Sequence, residues 1–325
     1  MQRGLDLARA VEILAAGGLV AFPTETVYGL GADASRADAV ERIFAAKGRP
    51  RAHPLIVHLA PGAQLDDWAI GIPDSARALA AAAWPGPLTI ILAKGPRVSP
   101  ATTGGSSTVG LRVPAHPVAQ ALLRAFDGGI AAPSANRFGA VSPTTADHVA
   151  GDLGDDVDYI LDGGPCEVGV ESTIVDLSRG RPVLLRPGGM PRAVIEAITG
   201  PLAAADDAAP AAPGTLASHY APRAQVIAVA PEQVPAAVAA ASAAGKRIAV
   251  LAPASAFLDW GALRADAHRL PDDDAGMARE LYAALRDLDA SGVDVVIAAL
   301  PPAAGLGEAV GDRLLRAAGP RKDRS

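Results

Sequence analysis

Strand-like apolar runs alternate with helical segments through the first 200 or so residues of this 325-residue chain, and this alternation restricts the possible folds. A chain that mixes strands with helices in this way is typical of a sheet covered by helices. We therefore expect an α/β fold with one twisted open sheet that is mostly parallel or mixed. The strand candidates lie at residues 19–22, 55–59, 88–92, 109–113, 129–132, 159–161, 172–177 and 182–185, and the helix candidates at 6–16, 36–47, 74–83, 117–126, 144–151 and 191–198.

The composition changes in the last third of the chain. Residues 203–223 are rich in alanine, aspartate, proline and glycine, which is typical of a linker. Further strand candidates follow at 225–229, 247–251 and 293–299, separated by helical segments. The sequence therefore predicts a catalytic domain over 1–202, a linker over 203–223 and a small Rossmann-like α/β domain over 224–325.

Charge and composition exclude several classes of protein. The chain carries 35 acidic and 29 basic residues, a net charge of −6, whereas proteins that hold nucleic acid by its backbone have a basic excess or stripe. No apolar run is long enough to cross a membrane, and the N-terminus does not resemble an export signal. Cys166 is the only cysteine, so an intramolecular disulfide and a cysteine-based metal site are both excluded. We expect a cytoplasmic protein that binds neither membrane nor, tightly, nucleic acid.

A hydroxyl-rich turn follows the first strand candidate, in the segment Phe-Pro-Thr-Glu-Thr-Val-Tyr-Gly that begins at Phe22. The side chains of Thr24, Thr26 and Tyr28 place three hydroxyls within five residues. Such a group of hydroxyls suits recognition of a small polar substrate.

A lysine and an arginine end the next helix candidate. Lys47 continues the apolar face formed by Val40, Ile43 and Phe44, so it should point inward rather than into bulk water. Arg49 follows two residues later, and a cation pair at this separation suits a polyphosphate. The structural alternative is a helix-terminal lysine that complements the helix dipole.

Two histidines, a glycine-rich loop and one strand arginine are the next candidates. His53 and His58 lie around a strand candidate without partners at zinc-binding spacing, so each contacts substrate or is structural. The loop 102–110, which contains Thr108, could cradle phosphate with its N–H groups or could be a simple hairpin. Arg112 lies on an otherwise apolar strand and requires an anion, either a substrate carboxylate or a structural carboxylate.

Five further polar residues follow apolar strands or open helices. Ser134 and Asn136 are two apart in an extended segment and should face the same side. Ser142 precedes a helix, where capping is the default role. Ser172 begins a strand, and Arg186 ends the last strand of the first domain. No nucleophile–base pair is evident, so this inventory of cations and hydroxyls suits binding and charge neutralisation of a nucleoside triphosphate.

Taken together, these motifs resemble the threonylcarbamoyl-AMP synthase family of YrdC-like enzymes, in its long two-domain form. The resemblance rests on Pro-Thr-Glu-Thr-Val-Tyr-Gly, Lys-x-Arg-Pro with Pro-Leu-x-x-His, Ser-x-Asn, Glu-Ser-Thr-Ile-Val-Asp and Arg-Pro-Gly, in that order. It implies a nucleotidyltransferase that converts ATP, bicarbonate or carbon dioxide and L-threonine to threonylcarbamoyl-AMP and pyrophosphate for tRNA modification. It also implies Mg²⁺ with the ATP, no prosthetic group, and a downstream tRNA threonylcarbamoyl transferase complex as partner.

The resemblance also assigns roles to individual residues. It implies charge neutralisation at the reacting centre by Lys47 and Arg49, and pocket-lining positions for Thr24 and Tyr28. The residues implied to hold L-threonine are Thr26, His58, Arg112, Ser134 and Ser172. The residues implied to hold ATP are Arg49, His53, Thr108, Asn136, Ser142, Arg186 and Tyr220.

Two other functions compete with this one. A module that binds RNA or an adenine nucleotide without turnover would use the same cations, although the acidic balance disfavours RNA. A carbamoyl-adenylate transferase of the hydrogenase-maturation type shares this catalytic domain. Such proteins also carry cysteine clusters and an acylphosphatase segment, and this sequence has neither.

Overall fold

The computed structural model describes residues 1–260, 263 and 265–320, and these form two compact units. The first unit comprises Met1–Phe138, Ser142–Glu167 and Glu171–Thr215. The second comprises Gly139–Val141, Val168–Val170 and the described residues from Leu216 onward. The boundary after Thr215 lies inside the segment predicted as a linker, and the exact domain limits stay a prediction.

The first unit contains strands and helices in alternation. Its strands are β1 (Gln2–Gly4), β2 (Val20–Phe22), β3 (Gly29–Asp33), β4 (Ile56–His58), β5 (Ala69–Ile70), β6 (Leu88–Lys94), β7 (Thr108–Arg112), β8 (Ile130–Ala131), β9 (Tyr159–Leu161), β10 (Thr173–Asp176), β11 (Val183–Arg186) and β12 (Ala203–Ala204). Its helices are α1 (Leu7–Ala15), α2 (Ala37–Lys47), α3 (Asp74–Ala83), α4 (Pro117–Phe126), α5 (Ala146–Leu153) and α6 (Arg192–Thr199).

These strands form one mixed sheet in the described part of the chain. Its order is β1-β9-β2-β3-β8-β4-β7-β6-β10-β11-β12, with β5 paired to β6. The sheet contains both parallel pairs, such as β4 with β7, and antiparallel pairs, such as β6 with β7. The predicted α/β fold with a mixed sheet is therefore confirmed.

The two faces of the central strands have different roles, because successive side chains of a strand point to opposite faces. Val57, Ile90 and Leu111 belong to the main hydrophobic core, which also contains apolar residues of α2 and α3. Ile56 and Ile91 instead join a smaller cluster with other strand residues. The second face also carries polar residues that alternate with the smaller cluster, among them His58 and Arg112.

The second unit contains a parallel sheet of order β13-β16-β14-β15 in its described residues. Its strands are β13 (Gln225–Val229), β14 (Ile248–Pro253), β15 (Asp266–Leu270) and β16 (Val295–Ala299). Its helices are α7 (Val234–Ala243), α8 (Ala256–Trp260), α9 (Asp274–Ser291) and α10 (Gly307–Ala317). This agrees with the predicted small α/β domain, and β15 is an unpredicted strand of polar sequence.

Three details differ from the sequence-based expectations. Strand β3 was not predicted, because Gly-Leu-Gly-Ala-Asp lacks β-branched residues. Its Gly31 allows a close approach of neighbouring strands, since a Cβ there would lie 2.8 Å from both Ile130 and Phe22. Helix α5 begins after Thr145, whose hydroxyl accepts from the His148 N–H, so Ser142 is not its cap. Strand β12 lies within the predicted linker and pairs with β11.

In the described residues, no helix has the length and apolarity that crossing a membrane requires.

Candidate active site

Lys47 ends helix α2 and points inward, as its sequence position predicts. Its side chain is 2% exposed, and its ammonium donates to the backbone carbonyls of Ser134 and Asn136. Gly48 ends the helix with φ of +61°, a conformation that glycine adopts without strain. Burial, followed by the charge of nearby Arg49, lowers the pKa of Lys47 well below its usual value.

An aromatic ring that the sequence did not single out gathers the neighbouring candidates. The Arg49 guanidinium lies 5.6 Å from the centre of the Phe138 ring, and the His53 ring lies 5.4 Å from it. The Phe138 N–H donates to the Lys47 carbonyl at 2.9 Å, and Arg49 Nη2 donates to the Pro54 carbonyl at 3.0 Å. Phe138 thus contacts the Arg49 guanidinium and the His53 ring with its own ring, and the backbone of Lys47 with its N–H. Its position two residues after Asn136 was the only signal available in the sequence.

A second group of candidates lies on the sheet face that carries Ile56 and Ile91. His58 on β4 is the register partner of Arg112 on β7. The Ser172 hydroxyl lies 2.8 Å from the Thr89 hydroxyl of β6. Arg186 donates to the Ser172 carbonyl at 2.7 Å through Nη2. The strand order thus brings three predicted threonine-binding residues and one predicted ATP-binding residue to a single face; Thr89, inside an apolar run, was missed.

The anionic partner of Arg112 in this structure is Glu25. The Arg112 Nη2 atom lies 2.8 Å from Glu25 Oε1, and the two side chains are only 4% and 6% exposed. The sequence left open a substrate carboxylate or a structural ion pair, and the structure shows the ion pair. Glu25 itself lies in the hydroxyl-rich turn, where its charge gave no sign that it would be buried.

His58 is buried and neutral at physiological pH. Burial, and after it the positive charge of Arg112, lowers the pKa of His58 to about 3. The ring meets Phe22 edge-on, with a centroid separation of 6.0 Å. A neutral imidazole beside a guanidinium can accept or donate a hydrogen bond to a substrate hydroxyl.

The hydroxyl-rich turn is held together by its own hydrogen bonds. The Thr24 hydroxyl donates to the Val27 carbonyl at 2.6 Å and lies 2.8 Å from the Thr26 hydroxyl. The Tyr28 hydroxyl donates to the Gly164 carbonyl at 2.7 Å. Burial raises the pKa of Tyr28, so this phenol stays protonated. These hydrogen bonds fix the conformation of the turn.

Ser142, Thr108 and Tyr220 each make contacts of their own. Ser142 donates to Glu171 Oε1 at 2.6 Å, a partner that the sequence did not indicate. Thr108 begins β7, with its hydroxyl 2.9 Å from that of Ser106. Tyr220 belongs to the second unit, where its ring stacks on Tyr282 at 5.7 Å. None of these three contacts tests the predicted role in binding ATP.

The site is suited to binding anions rather than to covalent catalysis. Lys47 and Arg49 lie around Phe138, whereas Arg112 and Arg186 lie on the sheet face. In the part of the chain that the structure describes, no cluster of histidine, cysteine, aspartate or glutamate could hold a metal ion. Ser134, whose carbonyl accepts from Lys47, follows strand β8. Strand β8 pairs with β4, which carries His58. The residues around Phe138 and those on the sheet face therefore border neighbouring strands.

Comparison with known proteins shows the family of this chain. A family model named for Sua5, YciO and YrdC, with the description "Telomere recombination", matches residues 12–188. A second model, "Threonylcarbamoyl-AMP synthase, C-terminal domain", matches residues 190–319. The chain therefore belongs to the Sua5/YciO/YrdC family, with the two-domain arrangement of Sua5.

Individual relatives are similar to this chain along nearly the whole length of both sequences. Threonylcarbamoyl-AMP synthase of Pyrococcus abyssi is 44% identical over 94% of this chain and 92% of its own. The enzyme of the same name from Bacillus subtilis is 43% identical over 97% of this chain and 94% of its own. The crystal structure of P. abyssi Sua5 complexed with L-threonine has a TM-score of 0.90 and 42% identity, covering 98% of this chain and 96% of that one.

Proposed function

We propose that this protein is an L-threonylcarbamoyladenylate synthase, a nucleotidyltransferase that converts L-threonine, bicarbonate or carbon dioxide, and ATP to threonylcarbamoyl-AMP and pyrophosphate. The observation that carries the proposal is the juxtaposition of Lys47 and Arg49 around Phe138, next to a sheet face that carries Arg112. The first pair suits a phosphate, and Arg112 suits a carboxylate. The names of the full-length relatives and the L-threonine complex of P. abyssi Sua5 support the same substrate.

L-Threonine would bind on the sheet face. Arg112 would take the carboxylate, and the hydroxyl groups of Ser172 and Thr26, with the neutral ring of His58, would select the substrate hydroxyl. Ser134 would complete this subsite from the segment after β8. A hydrogen-bonding site for a hydroxyl discriminates strongly against analogues that lack it, because its own polar groups would be left without partners.

ATP would bind beside Lys47, Arg49 and Phe138. In this proposal its phosphates contact Arg49 and Arg186, and its remaining contacts come from residues predicted from the family. Those residues are His53, Thr108, Asn136, Ser142 and Tyr220. Mg²⁺ would enter with the nucleotide as part of the substrate.

The chemistry has two steps. The neutral amine of threonine bonds to the carbon of carbon dioxide and releases a proton, which gives a carbamate. One carbamate oxygen then attacks the α-phosphorus in line, and the bond to the leaving pyrophosphate breaks. Lys47 and Arg49 would neutralise charge where the carbamate meets the α-phosphate, so the protein contributes proximity and preorganised cations. The product would be used by a tRNA threonylcarbamoyl transferase complex in the cytoplasm.

The proposal is tested by threonine-dependent pyrophosphate release. The purified protein is incubated with ATP, Mg²⁺, bicarbonate and L-threonine, and quenched samples are analysed by mass spectrometry for threonylcarbamoyl-AMP. We expect release that requires both threonine and bicarbonate. Release without amino-acid preference would contradict the assigned substrate. ATP binding without any release would favour a nucleotide-binding module instead.

A further inference from the structure

Glu25 is a buried carboxylate that the proposed chemistry does not yet use. It lies between Thr24 and Thr26 in the hydroxyl-rich turn, and its side chain is 6% exposed. Its Oε1 atom approaches Arg112 Nη2 at 2.8 Å, and Arg112 is 4% exposed. The pair therefore lies within the site rather than on its rim.

The ion pair is close but poorly hydrogen-bonded. Among the described residues, neither oxygen of Glu25 accepts a hydrogen bond, and Nη2 of Arg112 donates none, so the 2.8 Å approach lacks the required direction. A buried ion pair offsets its desolvation cost only when additional hydrogen bonds satisfy the remaining oxygens and protons. Both carboxylate oxygens of Glu25 therefore lack a hydrogen-bond donor among the described residues.

The neighbouring groups do not meet this demand. Arg112 Nε donates to the Gly86 carbonyl at 3.3 Å. The hydroxyls of Thr24 and Thr26 are engaged with each other, and Thr24 also with the Val27 carbonyl. A ligand group with several N–H donors and a positive charge would satisfy both oxygens.

We propose that Glu25 accepts hydrogen bonds from the α-ammonium group of the amino-acid substrate, while Arg112 holds its carboxylate. This inference rests on the proposed function, which places the carboxylate on Arg112. An α-amino acid carries its ammonium and carboxylate on one carbon atom, so neighbouring anionic and cationic side chains match the two groups together. Glu25 is then a specificity residue that distinguishes an amino acid from a simple hydroxy acid.

A different role for Glu25 gives the opposite result. If Glu25 only occupies Arg112 until a substrate carboxylate displaces it, removing its charge should strengthen the binding of every carboxylate. If Glu25 holds the ammonium group, removing its charge should weaken the binding of amino acids alone. The two roles are separated by comparing a substrate with its deamino analogue.

The experiment is isothermal titration calorimetry of the full-length protein without ATP, so that no turnover occurs. L-Threonine and (R)-3-hydroxybutanoate, which has the same carboxylate and hydroxyl but no amine, are each titrated into the wild type and Glu25→Gln. We expect Glu25→Gln to weaken threonine binding by about tenfold or more, the usual effect of losing a charge-assisted hydrogen bond. The affinity for (R)-3-hydroxybutanoate should not fall.

Two further variants keep the test specific. Glu25→Asp retains the carboxylate and should recover part of the preference for threonine over the deamino analogue. Glu12→Gln removes an exposed carboxylate from α1 and should leave that preference unchanged. Circular dichroism spectra confirm that each variant is folded before titration.

The outcomes separate this inference from the proposed function. Equal loss of affinity for both ligands in Glu25→Gln, or tighter threonine binding, overturns the role of Glu25. Wild-type protein that binds no amino acid also overturns it. If the protein shows the Glu25-dependent preference but makes no threonylcarbamoyl-AMP, the amino-acid site stands and the proposed reaction fails.

Discussion

His58 should make the first unit sensitive to acid, because the folded protein keeps this histidine neutral. Its pKa is about 3 in the folded state, compared with about 6.5 in an unfolded chain. As the pH falls below about 6.5, the unfolded chain binds a proton that the folded protein does not. Stability is therefore lost progressively as the pH falls from about 6.5 towards about 3.

The size of this loss follows from the difference between the two pKa values. Each pH unit between the unfolded and the folded pKa lowers the free energy of unfolding by about 1.4 kcal/mol. The change from pH 7 to pH 5 therefore lowers it by about 2 kcal/mol. The variant His58→Asn lacks the titrating group and should lose about 2 kcal/mol less over the same interval. The difference between the wild type and the variant in this pH-dependent loss of stability removes the contribution of all other titrating groups.

The assay is urea unfolding at pH 7 and pH 5, followed by tryptophan fluorescence. Trp260→Phe serves as the background, because the remaining Trp68 and Trp84 both lie in the first unit. His268→Asn, in the second unit, is the control and should show the wild-type pH dependence. If His58→Asn loses as much stability as the wild type between pH 7 and pH 5, the burial argument for His58 is refuted.

Three further predictions concern the site directly. Lys47→Ala should reduce turnover by about 100-fold or more while leaving the affinity for L-threonine nearly unchanged. The control Lys246→Ala, at an exposed lysine, should change neither turnover nor affinity. Steady-state kinetics measures the turnover, and calorimetry measures the affinity. Phe138→Leu should weaken ATP binding by about tenfold, because it removes the ring that positions Arg49; fluorescence titration with an ATP analogue measures this. Gly188→Ala should destabilise the first unit by about 1–3 kcal/mol, because the added Cβ would lie 2.3 Å from the Glu171 carbonyl oxygen; urea unfolding measures this.

Each of these predictions has a contradicting result. Equal losses of turnover and threonine affinity in Lys47→Ala would make Lys47 a general structural residue. Unchanged ATP affinity in Phe138→Leu would separate the aromatic ring from the nucleotide site. A Gly188→Ala variant as stable as the wild type would mean that the Arg-Pro-Gly turn yields to the extra methyl group.

Regular periodicity explains which parts of the fold could be predicted. The run 88–92 is short and almost wholly apolar, as in a buried strand, and helix α2 repeats its apolar residues with the period of a helix. Both elements were therefore located correctly, as was the inward position of Lys47. Strand β3 and strand β15 were missed for the opposite reason. Gly29–Asp33 is held by its neighbours rather than by its own propensity, and Asp266–Leu270 is polar.

Pairings between distant residues could not be predicted from the sequence. Glu25 meets Arg112, and Ser142 meets Glu171, across 87 and 29 residues respectively. No local pattern encodes such partners, because they depend on strand order. The family motifs supplied the candidate residues, and the strand order then showed which of them share a face.

The most direct test of the account is the composition of the adenylated product. The protein is incubated with ATP, Mg²⁺, nitrogen-15-labelled L-threonine and carbon-13-labelled bicarbonate, and the quenched reaction is analysed by mass spectrometry. We predict an AMP adduct that carries both labels, because the carbamate carbon joins the threonine nitrogen before attack on the α-phosphorus. An adduct with the nitrogen label alone would be threonyl-AMP, formed by the carboxylate that the account assigns to Arg112, and would contradict it.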